Sequence, residues 1–316
     1  AGAGSGKTRV LTTRVAYMIG ENKIDPRSIM LVTFTAKAAQ EMKERLSLYT
    51  NRTSMNGVVA GTFHSIFYRI VSHHEPSRWN HEKLLKWEWQ KEQFLKQTGR
   101  SLGLDEKEFP WDEAIQMISY WKNNLQFPND VKASNKTEED YLHLYKEYEQ
   151  WKKTNEFFDF DDMLIGCYEL FTRNENLLQK YQQRFQYFLI DEFQDINKVQ
   201  YETIKLLAKS ENLCVVGDDD QSIYAFRGSD PSYIVNFDRD FPTTKVVTLS
   251  ENYRSTHAIV ASANKVIAQN KKRKQKSMNA QVDNKKAPLL FHPYDEEEEA
   301  TMIVQDMKER IENGDY

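Results

Sequence analysis

The first eight residues have the composition and spacing of a loop that binds phosphate. Gly2, Gly4 and Gly6 alternate with small residues, and Lys7 and Thr8 follow directly. Glycines permit backbone angles at which successive N–H groups turn toward one anion. Lysine adds positive charge for the β- and γ-phosphates, and the hydroxyl can bind Mg²⁺. This chemistry predicts a site for a nucleoside triphosphate and magnesium.

The residues that follow this loop favour the same interpretation. The pattern G-x-x-x-x-G-K-[ST] is met except at Ala1, and residues 9–19 have the periodicity of an amphipathic helix that Gly20 closes. The N-terminus of such a helix adds its dipole to an anion site. Because a phosphate loop normally leaves the end of a buried strand, we expect that strand to precede the sequence as it stands.

A pair of acids forms the second candidate element. Asp191 and Glu192 follow the apolar run 185–190. One carboxylate at such a position can bind magnesium, and the next can act as a general base that activates a water molecule for attack on the phosphate. Two elements of one nucleotide site, in this order, indicate that the chain binds and hydrolyses a nucleoside triphosphate.

Composition sets limits rather than a function. The chain has 316 residues, of which 40% are hydrophobic and 28% charged, as in ordinary globular proteins, and no apolar run is long enough to span a membrane. A net charge of −4 does not by itself indicate nucleic-acid binding, but a local basic groove matters more for such binding than the net charge of the chain. The dense basic run 271–276 is interpreted as a solvated loop, and Cys167 and Cys214 as buried thiols of a reducing compartment.

Apolar, strand-like runs alternate with helical patterns along much of the chain. This alternation indicates an α/β fold with a parallel sheet, whose ligands lie at the carboxyl ends of the strands. The predicted strands span residues 29–34, 57–62, 185–190, 213–217, 245–249 and 289–292, and predicted helices span 36–48, 259–268 and 297–313.

The middle of the chain has a different pattern. Residues 71–155 show helical periodicity and contain all six tryptophans. We interpret this stretch as an all-helical insertion with its own aromatic core. The predicted organisation is a first part of an α/β domain at 1–70, the insertion at 71–156, the second part of the α/β domain at 157–250, and the start of another α/β domain at 251–316.

Seven strings of residues together resemble the UvrD/PcrA/Rep family of superfamily 1 DNA helicases. They occur in family order at residues 1–8, 32–39, 61–65, 158–162, 191–195, 216–228 and 252–255. The resemblance implies an α/β fold with a RecA-like P-loop NTPase sheet, an inserted helical domain and the start of a second RecA-like domain. It implies ATP and Mg²⁺ as cofactors and 3′-to-5′ movement on single-stranded DNA. It also implies single/double-strand junctions as substrates, contacts with repair or replication proteins, and a cytoplasmic, nucleoid-associated location.

The family mechanism implies a role for each matching residue of the nucleotide site. Thr8 and Asp191 would hold magnesium, and Glu192 would deprotonate the attacking water. Gln221 would sense the γ-phosphate, and Arg254 would stabilise the charge of the transition state. The ATP-binding residues implied are Gly2, Ala3, Gly4, Ser5, Gly6, Lys7, Thr8, Arg9, Tyr253 and Arg254, with Tyr253 stacked on the adenine.

The resemblance also implies a path for DNA across the top of the sheet. Phe34, Tyr224 and Phe226 match positions that stack on bases, and His64 and Arg227 match positions near the backbone of the strand. Phe226 stands where tryptophan is commoner in the family, so stacking there should be weaker. Phe34 could instead belong to the sheet core, and His64 could cap the helix that follows it.

Some residues and the class of enzyme allow more than one interpretation. Asp159, Asp161 and Asp162 look like a metal cluster, but we favour a helix-capping role. The motor part of a helicase–nuclease subunit shares these strings. A non-catalytic nucleic-acid-binding adaptor is a rival of another class, and intact Lys7 and Glu192 count against it. Because an adenine-reading segment and a second arginine string do not occur in these residues, we expect them alone to be nearly inactive.

Overall fold

A four-stranded parallel sheet lies at the centre of the computed structural model, which describes residues 1–49, 57–271, 273–283 and 287–314. The strands are β1 Ile29–Thr33, β2 Val59–Thr62, β3 Tyr187–Ile190 and β4 Leu213–Val215. They pair in the order β2-β1-β3-β4, and every pair is parallel. The predicted α/β fold with a parallel sheet is confirmed.

Helices account for most of the remaining described residues. They are α1 Lys7–Gly20, α2 Ala36–Tyr49, α3 Phe63–His74, α4 Glu88–Ser101, α5 Trp111–Asn123, α6 Lys136–Asn155, α7 Phe160–Arg173, α8 Glu175–Arg184, α9 Lys198–Leu207, α10 Ser232–Val235, α11 Phe237–Asp240, α12 His257–Ile267 and α13 Glu296–Glu312. None of the helices in the described part of the chain combines the length and apolar character that a membrane span requires.

The central strand explains why the sheet is covered on both faces. All five residues of β1 are buried, and successive side chains point to opposite faces. Ile29 and Leu31 pack with α1 and α2, whereas Met30 and Val32 pack with α3, α7 and α9. Burial on both faces requires a continuous apolar run, which is why this strand was recognisable in the sequence.

The helices α4, α5 and α6 share a separate aromatic core, as predicted, but not all of the tryptophans belong to it. Trp111 and Trp121 are buried there with Tyr141, Tyr145 and Tyr148. Trp79 is buried instead in the core beneath the sheet, where its ring meets Phe158 edge-on at 4.9 Å. The side chains of Trp87 and Trp89 are exposed.

Two predicted strands near the end of the chain were wrong. Residues 245–249 and 289–292 are not strands, and Val246, Val247 and Leu290 are largely exposed. In the described residues the second sheet consists of two parallel strands, β5 Glu251–Thr256 and β6 Asn279–Val282. Both strands are rich in polar residues, so the apolar pattern that revealed β1 was absent from them.

Candidate nucleotide site and nucleic-acid cleft

The glycine-rich loop takes the backbone conformation that an anion-binding loop needs. Gly4 and Gly6 have φ angles of +69° and +87°, and Gly6 is the N-cap of α1. The Ser5 hydroxyl donates a hydrogen bond of 2.7 Å to the carbonyl of Gly2. A Cβ at Gly4 would lie 2.7 Å from the Cβ of Arg254, so a larger residue would collide there. The loop therefore opens at the positive end of a 14-residue helix.

The loop and the acidic pair meet although they are far apart in sequence. The Thr8 hydroxyl donates a hydrogen bond of 2.9 Å to Asp191 Oδ2. Lys7 Nζ lies 3.9 Å from Glu192 Oε2. Asp191 follows the end of β3, where parallel sheets place their ligands. Glu192 has a left-handed backbone with φ of +50°, an unusual conformation that is typical of functional sites.

The donors gathered here fit a magnesium ion. The Thr8 hydroxyl and the buried Asp191 carboxylate lie within hydrogen-bonding distance of each other, and oxygen ligands of these kinds suit Mg²⁺. A further buried oxygen, Asp195 Oδ1, has no hydrogen-bond partner among the described residues. Burial, with a smaller contribution from Glu192, raises the pKa of Asp191 and raises that of Asp195 to about 6. The close spacing of Asp191, Glu192 and Asp195 therefore favours the binding of a cation.

Gln194 holds the acids together, a role that was not predicted from the sequence. Its side chain is buried, and Nε2 donates 3.0 Å hydrogen bonds to both Glu192 Oε2 and Asp195 Oδ2. Its Oε1 accepts a hydrogen bond of 2.9 Å from the backbone N–H of Asp218. The Asp218 carboxylate accepts a hydrogen bond of 2.5 Å from Gln221 Nε2. Gln194 therefore links the acidic pair to the segment that carries Gln221.

Strand β5 forms a second wall against the loop. Asn252 Nδ2 donates a hydrogen bond of 2.7 Å to the Ala3 carbonyl, and the Tyr253 backbone N–H donates one of 3.0 Å to the Gly4 carbonyl. Asn252 is buried and was not predicted as a site residue. The side chain of the neighbouring Arg254 is exposed, and its Cβ lies against Gly4 of the loop.

The structure brings Tyr253 and Arg9 to one cavity beside the loop. This cavity has a volume of about 630 Å³, and both side chains line it together with Gly4 and Gly6. The Tyr253 ring is 65% exposed, so its face is free to stack on a flat ring. An adenine beside the phosphate loop is the flat group that the sequence interpretation expects here.

The five residues predicted to bind DNA lie in one region above the sheet. The Phe34 and Tyr224 rings are stacked with centroids 5.2 Å apart, and Phe226 lies 6.1 Å from Tyr224. The Arg227 guanidinium is 5.4 Å from the ring of Tyr224 and 5.4 Å from the ring of Phe226. Phe34, His64, Phe226 and Arg227 line one cleft of about 670 Å³, whereas Tyr224 does not line it and contacts it through its stack on Phe34.

Phe160 lines the same cleft and was missed in the sequence. Its ring is 48% exposed and meets His64 edge-on at 6.2 Å. A phenylalanine between two acids, Asp159 and Asp161, at an expected helix start was a signal that could have been used. Burial lowers the pKa of His64, and Asp161 opposes that effect only in part, so the imidazole is neutral near pH 7.

Two of the three acids around Phe160 cap a helix, as predicted, whereas Asp161 accepts hydrogen bonds from Ser119 and Asn123 instead. Asp159 and Asp162 form a reciprocal capping box at the start of α7. Lys122 Nζ lies 2.8 Å from Asp159 and 2.6 Å from Asp162, and Lys152 contacts both acids as well. Burial alone would raise the pKa of Asp159, but these two lysines hold it well below its usual range. The cluster joins the helical insertion to α7.

The interpretation of residues 271–276 as a solvated loop was wrong for two of its members. The side chains of Arg273 and Lys276 are only 5% exposed, and both contact the acidic turn at Asp218, Asp219 and Asp220. Lys272 lies outside the described residues. The two cysteines are free, and only Cys167 is fully buried.

The fold and this site define a protein of the P-loop nucleotide-binding class with a separate aromatic cleft. Residues 1–242 match the model of the UvrD/REP helicase N-terminal domain, and residues 247–316 match that of the UvrD-like helicase C-terminal domain. The chain belongs to the UvrD/REP helicase family.

Named relatives agree with this assignment. The chain is 53% identical, over 99% of its length, to the putative ATP-dependent DNA helicase YjcD of Bacillus subtilis, of which it covers 42%. It is 37% identical, again over 99% of its length, to the ATP-dependent DNA helicase PcrA of Staphylococcus aureus, of which it covers 43%. The chain therefore spans less than half the length of these relatives.

Proposed function

We propose that the protein carrying this chain is an ATP-dependent DNA helicase that moves 3′ to 5′ on single-stranded DNA and separates strands in repair or replication. The observation that carries the proposal is the pairing of Thr8 with Asp191 at 2.9 Å beside Lys7 and Glu192. The names of the relatives, both ATP-dependent DNA helicases, support the choice of DNA.

Each residue of the site has a role in the proposed reaction. The loop N–H groups and Lys7 bind the phosphates, and Thr8 and Asp191 hold magnesium, which neutralises phosphate charge when bound. Glu192 accepts a proton from the attacking water. Gln221 senses the γ-phosphate, and Arg254 stabilises negative charge that develops on it. Tyr253 stacks on adenine, beside the stem of Arg9.

The aromatic cleft is the proposed path of the DNA strand. Phe34, Phe160 and Phe226 line the cleft and offer rings for successive bases, and Tyr224 stacks on Phe34 to complete the proposed base-stacking set. Base stacking on such rings is worth roughly 1–3 kcal/mol per base and tolerates any sequence, which suits movement along DNA. The guanidinium of Arg227, 5.4 Å from the rings of Tyr224 and Phe226, would contact a phosphate of the bound strand.

The domain organisation completes the proposal. We assign residues 1–70 and 157–250 to one motor domain, 71–156 to its insertion, and 251–316 to the beginning of a second motor domain. The contacts of Asn252 and Tyr253 with the loop support a nucleotide site between the two motor domains. A cytoplasmic, nucleoid-associated location fits a DNA substrate.

A comparison of wild type with Lys7→Ala tests this function in the protein carrying the chain. In wild type we expect ATP turnover that is stimulated by single-stranded DNA. In the variant we expect less than about a tenth of that turnover, because the positive charge that contacts the phosphates is lost. Melting temperature controls for folding. Displacement of streptavidin from the 5′ end of an oligonucleotide, and not from the 3′ end, would establish direction. Normal turnover in a folded Lys7→Ala variant would contradict the proposal.

A further inference from the structure

The basic segment at Arg273–Lys276 holds the acidic turn that precedes Gln221. Arg273 binds both oxygens of Asp220, with Nε at 2.7 Å and Nη2 at 2.6 Å. Lys276 Nζ lies 3.0 Å from Asp218 and 2.7 Å from Asp220, and it also contacts Asp219. Two cations whose side chains are only 5% exposed therefore contact three consecutive carboxylates.

These contacts explain how the three carboxylates can lie together. Oxygens of Asp218, Asp219 and Asp220 all come within 4.8 Å of one another, a spacing that would also suit a metal ion. The ammonium of Lys276 contacts all three acids, and the guanidinium of Arg273 neutralises Asp220. The position that a cation would take is thus filled by the protein's own side chain.

The acidic turn leads directly to the nucleotide site. Asp218 Oδ2 accepts the hydrogen bond from Gln221 Nε2, while Asp218 Oδ1 contacts Lys276. The Asp218 backbone N–H donates to Gln194, which in turn donates to Glu192. One short chain of contacts therefore runs from Lys276 to Gln221, and another runs to Glu192.

We propose that Lys276, assisted by Arg273, is a positioning residue that sets the orientation of Gln221 and Glu192. It follows β5 and α12 along the chain and precedes β6, so it connects the second wall to the γ-phosphate sensor. Movement of the wall formed by β5 would shift the Asp218 carboxylate, and with it the side chains of Gln221 and Glu192. This inference rests on the proposed function, because Gln221 and Glu192 have the roles given above.

Lys276→Met is the variant that tests the proposal, since it keeps most of the side-chain volume and removes the charge. We expect the kcat of DNA-stimulated ATP hydrolysis to fall about 10- to 100-fold, as for other groups that orient catalytic ones, with little change in KM for ATP. Lys276→Arg should recover part of the rate. Lys271→Ala, which removes a charge from an exposed position of the same basic run, should match wild type.

A double variant separates positioning from simple stabilisation. Because Lys276 acts partly through Gln221, Lys276→Met should cost less rate in a Gln221→Ala background than in wild type, whereas a general structural defect would add in full to that of Gln221→Ala. Arg273→Gln provides the same test if Lys276→Met does not fold. Wild-type kcat in a folded Lys276→Met or Arg273→Gln variant, or full additivity with Gln221→Ala, would overturn the inference. Loss of the effects of Lys7→Ala and Gln221→Ala themselves would instead contradict the proposed function.

Discussion

At the scale of single residues, the proposed nucleotide site contains two buried acids, Asp191 and Asp195, beside the partly exposed Glu192. The meeting of Lys7 and Thr8 with Asp191 and Glu192 could be predicted from the sequence because each belongs to a short string with one chemical purpose. Gln194 could not, because its importance lies in three hydrogen bonds that exist only after folding. Residue type and spacing identify groups that meet a ligand better than groups that orient them.

The raised pKa of Asp195 gives a prediction about pH. Its pKa of about 6 in the folded chain exceeds the value of 3.8 expected when unfolded, because burial and Glu192 disfavour its charge. The neutral form is therefore favoured by folding, and this contribution to stability is present below pH 4 and is lost as pH rises through 6. Asp195→Asn, which stays neutral, should melt at a higher temperature than wild type at pH 7.

Melting curves across this pH range provide the check. The difference in melting temperature between Asp195→Asn and wild type, measured without nucleotide or magnesium, should be small at pH 4 and grow to a few degrees by pH 7. Asp105→Asn, on a turn outside the site, is a control for the loss of one acid. A difference that stays constant or shrinks with rising pH would contradict the assigned pKa.

At the scale of elements, strand ends position the chemistry. Asp191 follows β3, Phe34 follows β1, and His64 is the second residue of α3, which follows β2 directly, so their common edge was predictable from parallel pairing alone. The polar strand β5 was not predictable as a strand, since Asn252 is buried by its contact with the loop and not by an apolar core. Tertiary contacts decided its conformation.

The segment that carries Tyr224 and Phe226 allows a prediction for DNA binding. Replacing both by alanine removes a ring stacked on Phe34 and a half-exposed ring in the cleft. We expect binding of single-stranded DNA to weaken by about 2–5 kcal/mol, with little dependence on base sequence. DNA stimulation of ATP turnover should fall as well, because both residues follow Gln221 closely.

Fluorescence anisotropy at fixed salt measures this loss for oligonucleotides of different composition. Trp89→Ala, which removes an exposed ring that does not line the cleft, is the matched control and should bind as wild type does. Unchanged affinity of the double variant would place the DNA path elsewhere.

At the scale of the whole molecule, the site is assembled from distant parts of the chain. Thr8 meets Asp191 across 183 positions, and Asn252 meets Ala3 across 249. The order of motifs in the sequence predicted this assembly and the α/β fold around it. It did not predict the contacts of Arg273 and Lys276 with the acidic turn, because a run of basic residues has the same composition whether it is solvated or paired.

The most direct test of the central claim is the Glu192→Gln variant in the protein carrying this chain. Glutamine keeps the shape and hydrogen bonding of the side chain but cannot accept a proton. Nucleotide binding should therefore be retained, while DNA-stimulated ATP hydrolysis falls by about 10²-fold or more. Glu21→Gln, at an exposed position just after α1, should behave as wild type. Hydrolysis near the wild-type rate, or loss of nucleotide binding together with hydrolysis in a folded Glu192→Gln variant, would contradict the account.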